Sequence, residues 1–346
     1  KIPRRKLRAG SSPAPGTSSH GFMSIEKKIL FTASLEFNSE LKEKIISNTK
    51  VVYAYGSSSQ ELLNLNSVYR FSGWVCSPTP NYYIGSELLD RFTDLEILSS
   101  PSTGSSHIDR DYLISRDISF FCLKGSSIVN EIYASSEYTF GILISLLKNI
   151  PSSYTQAKKG VWREKEEDFR GRELHSLSIG IIGYGRIGSN LSKYCNAFNM
   201  QVYAYDPYVH EFDDWVLKVS DIQTITKNVD ILAPCVHLNS ETEGLIGQKE
   251  IFNLRRGSYL INTSRGEVID EDALISAIES KHLAGAAVDV ISGEQTKNIK
   301  THKLVELARK NKNFYITPHI AGLTIESESK AQTAAYEAVT KYLESI

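Results

Sequence analysis

Short apolar runs alternate with polar and amphipathic segments from Lys27 to Lys124. Five of these runs have the length of a strand: KKILFTA, KVVYAYG, GWVCSP, LEILSS and ISFFCLK. Segments such as SELLDRF and HIDRDYLISR lie between them and have the apolar spacing of helices. Strands joined through helices require right-handed crossovers and form a parallel sheet. The first third of the chain is therefore predicted to be an α/β domain.

A second alternating series begins after FRGREL, with the strands LSIGIIG, QVYAYD, VDILAP, GSYLINT, AGAAVDV and FYITP. Between the two series, IVNEIYASSEYTFGILISLLKN is predicted to be one long helix that ends at Pro151, because helical conformation is disfavoured before proline. The last stretch, GLTIESESKAQTAAYEAVTKYLES, has helical apolar spacing and predicts a closing helix. The predicted fold class is α/β, with two doubly wound parallel-sheet domains of the Rossmann-like or flavodoxin-like kind.

The composition is consistent with the predicted fold class. The 346 residues are enough for two domains, and 41% hydrophobic with 23% charged residues is typical of a globular chain. No apolar run approaches the length of a membrane span. The four cysteines, Cys76, Cys122, Cys195 and Cys235, form no CxxC pair. We therefore expect no metal site and no disulfide framework, and a reducing, cytoplasmic location.

The first 22 residues differ from all that follows. They contain five basic residues, no acidic residue and a Ser/Pro/Gly tract, but no apolar core of a signal peptide. We expect residues 1–22 to be a disordered leader or tag, with Met23 as the native start. The remaining chain has 34 basic and 40 acidic residues, a net charge of −6 compared with −1 for the whole. We therefore expect neither a nucleic-acid partner nor a membrane partner.

The segment LSIGIIGYGRIGSN contains Gly183, Gly185 and Gly188 in GxGxxG spacing, between a predicted strand and a predicted helix. In this context the glycines allow a tight turn, a close approach to a pyrophosphate and helix–strand packing. The next strand ends in Asp206, 18 residues after Gly188, where a carboxylate binds ribose hydroxyls and repels a 2′-phosphate. A glycine-rich turn without a ligand is the alternative. The motif predicts NAD as the cofactor.

From Glu87 to Glu344 the chain resembles the D-isomer-specific 2-hydroxyacid dehydrogenases, including phosphoglycerate dehydrogenases. The resemblance rests on several motifs in family order rather than on one. They are GVWREKEEDFRGREL, GIIGYGRIG, YDPY, NSETEGLI, INTSRGEVIDEDAL, AGAAVDV and TPHIAGLTIES. The family's activity, the interconversion of a 2-oxo acid and a D-2-hydroxy acid, becomes the expected function.

The resemblance implies a catalytic triad. Arg265 matches the arginine that binds the substrate carboxylate and carbonyl, a role that suits a forked guanidinium. Glu294 lies five residues after Asp289, at the family's spacing for its catalytic glutamate, and His319 matches the acid/base. A nearby carboxylate favours a protonated imidazole, which could donate a proton to the carbonyl as hydride arrives. Taken singly, these residues would be a surface cation, a loop acid and a structural histidine.

The resemblance also implies contacts with ligands. Thr103 and Gly104 align with backbone amides that hold the substrate carboxylate, and a plain tight turn is the equal alternative. Asp289 matches the residue that contacts the nicotinamide amide. The predicted cofactor-binding residues are Gly183, Gly185, Arg186, Ile187, Gly188, Asp206, Pro207, Cys235, Val236, Thr242, Thr263, Ser264, Asp289 and Gly322.

The family's topology implies a discontinuous division of the chain. Residues 23–125 and 318–346 would form the substrate-binding domain, residues 126–317 the NAD-binding domain, and the active site the cleft between them. Closure of the cleft would exclude water. The long helix after Ile128 resembles the element through which these enzymes form two-fold homodimers. Because the chain ends after its closing helix, we expect no regulatory tail of the kind some phosphoglycerate dehydrogenases have.

Three segments depart from the family pattern, and the first, SSPSTGSSHID, replaces the more usual arginine–small–glycine run. Cys235 replaces the usual histidine and His237 the usual proline, and we expect His237 to be an ordinary loop histidine rather than a second base. The segment CLKGSSIVNEIYASSEYT is longer than its family counterpart up to Glu137. Tyr133 and Tyr138 in it are expected to pack in a core or dimer interface. These departures leave the shape of the substrate open.

An NAD(H)-sensing, co-repressor-like binding protein is the alternative function, since such proteins share the fold and the triad. A relative of adenosylhomocysteine hydrolase is disfavoured, because the lysine and cysteine motifs of that enzyme are not apparent. Phosphoglycerate, glycerate, phenylpyruvate-like and sugar-derived acids all suit an arginine-anchored carboxylate. The neutral loop SSPSTGSS mildly disfavours a phosphorylated substrate, which would need a second cation.

Overall fold

The computed structural model describes residues 26–294 and 298–345. The predicted leader, residues 1–22, and the predicted start at Met23 lie outside the described residues. The described chain forms two parallel sheets, one with five strands and one with seven, and both are flanked by helices. These sheets confirm the predicted fold class.

The five-stranded sheet is formed by the first part of the chain. Its strands are β1 (Lys28–Phe31), β2 (Val51–Tyr53), β3 (Phe71–Val75), β4 (Ile97–Ser100) and β5 (Ser119–Cys122). Its connecting helices are α1 (Ser39–Ile46), α2 (Ser59–Tyr69), α3 (Ser86–Leu89) and α4 (Arg110–Ser115). The spatial order β2-β1-β3-β4-β5 is that of a doubly wound, flavodoxin-like sheet. Every residue of β3 and β4 is buried, as expected for parallel strands covered on both faces.

The seven-stranded sheet is formed by the second series. Its strands are β6 (Ser178–Ile182), β7 (Gln201–Tyr205), β8 (Val216–Lys218), β9 (Ile231–Pro234), β10 (Ser258–Asn262), β11 (Leu283–Val288) and β12 (Phe314–Ile316). The order β12-β11-β10-β9-β6-β7-β8 places the switch point of the winding between β6 and β9. All eleven predicted strands are present, and β8 is the strand that the apolar pattern missed.

The helices that follow β5 are α5 (Ala134–Leu147), α6 (Ile150–Ala157), α7 (Glu166–Phe169), α8 (Arg186–Ala197), α9 (Ile222–Asn228), α10 (Gln248–Asn253), α11 (Glu271–Glu279), α12 (Lys303–Lys310) and α13 (Ile325–Glu344). Helix α13 is the predicted closing helix, and it returns to the five-stranded sheet. Ala335 and Val339 of α13 are buried in one cluster with Ile29 and Phe31 of β1. The two ends of the described chain therefore meet in one core.

The prediction of a single long helix before Pro151 is wrong. A 3₁₀ turn at Ser127–Glu131 is followed by the extended residue Ile132, and α5 begins only at Ala134. Helix α5 ends at Leu147, and Pro151 lies in the first turn of α6. Proline is tolerated there because the first-turn N–H groups have no partner within the helix.

Among the described residues no helix is both long enough and apolar enough to cross a membrane.

Candidate active site

Three adjacent strands of the seven-stranded sheet end in the loops that carry the predicted triad. Arg265 follows β10, Glu294 follows β11 and His319 follows β12. Strands β10, β11 and β12 are parallel neighbours, so their carboxyl ends meet at one edge of the sheet. Ligands of open α/β sheets bind at this edge.

The imidazole of His319 is paired with the carboxylate of Glu294. Nδ1 of His319 lies 2.6 Å from Oε1 of Glu294, and the two side chains are 34% and 26% exposed. No other described residue hydrogen-bonds the ring, so Nε2 is available to a ligand. The hydrogen bond orients the imidazole, as an acid/base pair requires.

The loop that carries His319 is held by Asp289, which is 1% exposed. Its Oδ1 accepts hydrogen bonds from the Thr317 hydroxyl at 2.6 Å and the Ile320 N–H at 3.0 Å. Its Oδ2 accepts one from the Ala321 N–H at 2.8 Å. His319 itself has a left-handed φ of 55° and donates its N–H to the Asp289 carbonyl at 2.9 Å. The Asp289 carboxylate, which the resemblance assigned to the nicotinamide amide, binds the histidine loop here.

Two further carboxylates hold the loop before Glu294, and the sequence reasoning missed both. Oε1 of Glu271 accepts the Ser292 N–H at 2.7 Å, and Oε1 of Glu267 accepts the Gly293 N–H at 2.9 Å. Glu271 is 5% exposed, and its Oε2 lies 3.6 Å from Nε2 of the buried His302. One signal was available in the sequence, because Glu271 shares the buried stripe of α11 with apolar residues three and seven positions later.

Arg265 reaches across to the five-stranded sheet. Its Nη1 donates to the Ser264 carbonyl at 2.6 Å, and its Nη2 lies so near Gly104 that a β-carbon at that glycine would collide with it. The turn that contains Thr103 and Gly104 follows β4 and is closed by the Ser102 hydroxyl, which donates to the Gly104 carbonyl at 2.6 Å. The residues predicted to bind the substrate carboxylate are therefore brought together from both sheets.

The glycine motif forms the turn between β6 and α8. Gly183 has a φ of 94°, and a β-carbon at Gly188 would collide with the Gly183 carbonyl oxygen, so both positions require glycine. A β-carbon at Gly185, by contrast, would meet no atom within 4 Å. Gly185 is the N-cap of α8, and as a glycine it has no side chain that could cap the helix. The open space beside free N–H groups fits a pyrophosphate.

Asp206 lies at the end of β7, as predicted. Its Oδ2 accepts the Tyr184 N–H at 2.8 Å, and its Oδ1 accepts the Tyr208 N–H at 2.8 Å and the Val209 N–H at 3.1 Å. Each carboxylate oxygen has two lone pairs, so capacity for a ribose hydroxyl remains on Oδ2. Pro207 is exposed in the same loop.

The remaining predicted cofactor residues fall into two groups. Arg186 and Ile187 begin α8, and Val236 follows β9 beside Gly183. The three residues with hydroxyl groups form hydrogen bonds within the protein. Thr242 donates to the His237 carbonyl at 2.5 Å, Thr263 shares a hydrogen bond with Thr139 at 2.6 Å, and Ser264 donates to Asn262 at 2.7 Å. Gly322, in the histidine loop, lies near Ser135 of α5.

Cys235 and His237, the two departures after β9, differ in their surroundings. Cys235 donates its N–H to the Ile182 carbonyl at 2.7 Å, and burial raises the pKa of its thiol to about 12. Its backbone, rather than its sulfur, borders the glycine turn. Partial desolvation lowers the pKa of the His237 imidazole, and the charges of Lys124, Arg265 and Arg186 lower it further. Both effects favour the neutral imidazole.

No cluster of His, Cys, Asp or Glu that could hold a metal ion occurs within residues 26–294 and 298–345.

Residues 140–321 match the family model described as "D-isomer specific 2-hydroxyacid dehydrogenase, NAD binding domain". The matched segment contains the glycine turn, Asp206 and the three residues of the predicted triad. The chain belongs to the D-isomer specific 2-hydroxyacid dehydrogenase family. Membership in this family confirms the predicted cofactor, NAD.

Several relatives that the chain matches are named as enzymes. The chain is 30% identical to the glyoxylate reductase of Thermofilum pendens over 258 residues, 73% of each chain. It is 29% identical to the D-3-phosphoglycerate dehydrogenase of Bacillus subtilis over 263 residues, 75% of this chain and 47% of that one. The chain thus spans about half the length of the phosphoglycerate dehydrogenases it matches.

A solved structure has the same two-domain arrangement. It is the D-lactate dehydrogenase of Aquifex aeolicus complexed with NAD and lactic acid, with a TM-score of 0.74 and 26% identity over 92% of this chain and 96% of that one. These relatives are named as dehydrogenases and reductases, which does not favour the alternative of an NAD(H)-sensing binding protein.

Proposed function

We propose that this protein is an NAD-dependent D-2-hydroxyacid dehydrogenase that interconverts a 2-oxo acid and a D-2-hydroxy acid. The observation that carries the proposal is the convergence of Arg265 with the His319–Glu294 pair on the carboxyl edge of an NAD-binding sheet. A cation that binds a carboxylate and an imidazole that donates a proton are the groups that reduction of a 2-oxo acid requires.

Substrate binding is assigned to the contact between the two sheets. The guanidinium of Arg265 would bind the carboxylate of the 2-oxo acid through two parallel hydrogen bonds. The backbone amides at Thr103 and Gly104 would bind the same carboxylate from the other side, since Gly104 borders Nη2 of Arg265. This anchoring fixes the position of the carbonyl carbon relative to His319.

Proton transfer is assigned to His319. When bound, NADH supplies the hydride for the carbonyl carbon. Nε2 of protonated His319 donates a proton to the carbonyl oxygen, and in the reverse direction the neutral ring accepts the hydroxyl proton. Glu294 accepts the Nδ1–H and so fixes the orientation of the ring. Asp289 is a positioning residue, because it holds the loop on which His319 lies.

The pyrophosphate of the cofactor would bind the N-terminal turn of α8 at Gly185 and Arg186, and the adenosine ribose would bind Asp206. We also propose the division into a substrate domain, residues 23–125 with 318–346, and an NAD domain, residues 126–317. The protein would act in the cytoplasm as a homodimer.

The test is NADH oxidation, followed at 340 nm, across a panel of 2-oxo acids. We expect turnover of at least one acid and a loss of about a hundredfold or more in kcat for His319→Gln, since general acid catalysis contributes roughly 10²–10⁴. NADH titration by fluorescence serves as the control, because His319→Gln should keep its affinity for the cofactor.

Binding of NADH without turnover of any acid would overturn the proposal. In that case, binding of peptides or partner proteins that depends on NADH would favour the sensor. Equal rates for the wild type and His319→Gln would leave a dehydrogenase but would remove His319 from its acid/base role.

A further inference from the structure

Lys124 lies beside the site proposed for the substrate carboxylate. The carboxyl ends of β4 and β5 are paired, with Ser100 opposite Cys122. One residue further, the Leu123 N–H donates to the Ser102 carbonyl at 2.9 Å. Lys124 thus comes next to the turn of residues 102–104, whose last residue borders the Arg265 guanidinium.

The turn with Lys124 at its tip is held by a backbone hydrogen bond and by a buried hydrophobic cluster. The Ser126 N–H donates to the Leu123 carbonyl at 3.0 Å, which closes a tight turn with Lys124 at its tip. Leu123 is 3% exposed and packs with Ile132 and with Ala331 of α13. The lysine side chain is exposed, while the backbone below it is anchored in a hydrophobic cluster.

Three cations lie within electrostatic range of His237. Lys124, Arg186 and Arg265 all lie near enough to His237 to lower the pKa of its imidazole. None of the three forms an ion pair with a carboxylate in residues 26–294 or 298–345. Like charges that converge without a counter-ion repel one another, and bound anions would relieve that repulsion.

The proposed reaction uses only two of the three cations. Arg265 is assigned to the substrate carboxylate, and Arg186, at the first turn of α8, to the cofactor pyrophosphate. The guanidinium of Arg186 also donates to the carbonyl of Ile132, so it has a hydrogen-bond partner within the protein. Lys124 follows β5 of the five-stranded sheet, and its side chain has no hydrogen-bond partner among the described residues.

We propose, on the basis of the proposed function, that Lys124 binds a second anionic group of the substrate. The substrate class would then be 2-oxo acids that carry, beyond the first carboxylate, another carboxylate or a phosphate. The neutral loop SSPSTGSS favoured an unphosphorylated substrate because it contains no second cation. The neighbouring strand supplies that cation instead.

The test compares matched pairs of substrates in NADH oxidation: 2-oxoglutarate against 2-oxovalerate, and 3-phosphohydroxypyruvate against hydroxypyruvate. The wild type should prefer the member with the second anion by at least about tenfold in kcat/KM, as expected for a charge-assisted hydrogen bond. The pair with the larger ratio distinguishes a carboxylate from a phosphate. Lys124→Gln should abolish the preference with an unchanged KM for NADH.

Two further variants sharpen the result. Lys124→Arg keeps the charge and should retain most of the preference. Lys341→Gln removes an exposed lysine from α13 and should leave every ratio unchanged.

A wild type that does not prefer the second anion would overturn the inference and leave the dehydrogenase standing. So would a Lys124→Gln variant with a raised KM for NADH and equal losses for both members of a pair, since Lys124 would then serve the cofactor. Failure of the wild type to reduce any acid would overturn the proposed function and this inference together.

Discussion

Gly104 and Arg265 come from different sheets and touch: a β-carbon at Gly104 would collide with Nη2 of the guanidinium. The contact joins the carboxyl edge of the five-stranded sheet to that of the seven-stranded sheet. An arginine held against a backbone turn is in place to share one carboxylate with that turn.

Gly104→Ala should therefore weaken substrate binding more than catalysis. The added methyl group displaces the end of a flexible side chain, so the fold should survive while KM for the 2-oxo acid rises by about tenfold, the cost of a weakened charge-assisted hydrogen bond. Steady-state kinetics would measure the split between KM and kcat.

Gly141→Ala is the matched control. Gly141 lies in α5, and a β-carbon there would meet no atom within 4 Å. This variant should keep wild-type kinetics and gain about 0.4–1 kcal/mol of stability. An unchanged KM in Gly104→Ala would contradict the assignment of Arg265 and this turn to the substrate.

The strands were more predictable from the sequence than the helices between the two sheets. Eleven strands could be predicted because buried parallel strands are apolar on both faces and punctuated by turns. Strand β8 (VLK) was missed because Val216 is its one buried residue, in a polar context. The predicted helix end at Pro151 was wrong because proline disfavours helical conformation in the preceding residue but is also tolerated in the first turn of a new helix, here α6.

The motifs predicted which loops form the site, but not what each side chain contacts. The resemblance assigned Asp289, at the end of its strand, to the nicotinamide amide, and this stays a prediction; the sequence did not indicate that its carboxylate binds three groups of the histidine loop. The sequence did not indicate Lys124 as a site residue, because its position depends on the pairing of β4 with β5 and on the hydrophobic cluster in which Leu123 is buried. Contacts of this kind are set by tertiary packing and leave no periodic signal in the sequence.

Asp289→Asn should disturb the histidine loop. An amide can accept with only one of its two polar atoms, so at least one buried N–H of Ile320 or Ala321 would face another donor. We expect a loss of roughly 1–3 kcal/mol in the free energy of unfolding, measured in urea, together with a lower kcat.

Asp270→Asn provides the comparison. Asp270 is the N-cap of α11, a position that asparagine fills equally well. The free energy of unfolding of this variant should therefore differ little from that of the wild type. If Asp289→Asn were as stable and as active as this control, the carboxylate of Asp289 would not be positioning the loop.

His107 should make the protein sensitive to acid. The residue is 3% exposed, and burial lowers the pKa of its imidazole from 6.5 to about 4. The unfolded chain therefore binds a proton that the folded chain does not between these two values. The free energy of unfolding therefore includes a contribution from neutral His107 that is complete above pH 6.5 and is lost as pH falls towards 4. The loss between pH 7 and pH 4 is about 3 kcal/mol.

His107→Gln removes this titration. Urea unfolding at several pH values should show a shallower loss of stability below pH 6.5 in the variant than in the wild type. Parallel curves for the two proteins would mean that His107 does not cause the acid sensitivity.

The most direct test of the central claim is the stereochemistry of the product. The wild-type protein would be incubated with NADH and the 2-oxo acid that it reduces fastest, and the hydroxy acid would be resolved by chiral chromatography. We predict the D-2-hydroxy acid, formed in a one-to-one ratio with the NADH consumed. An L-product, or consumption of NADH without any hydroxy acid, would contradict the account.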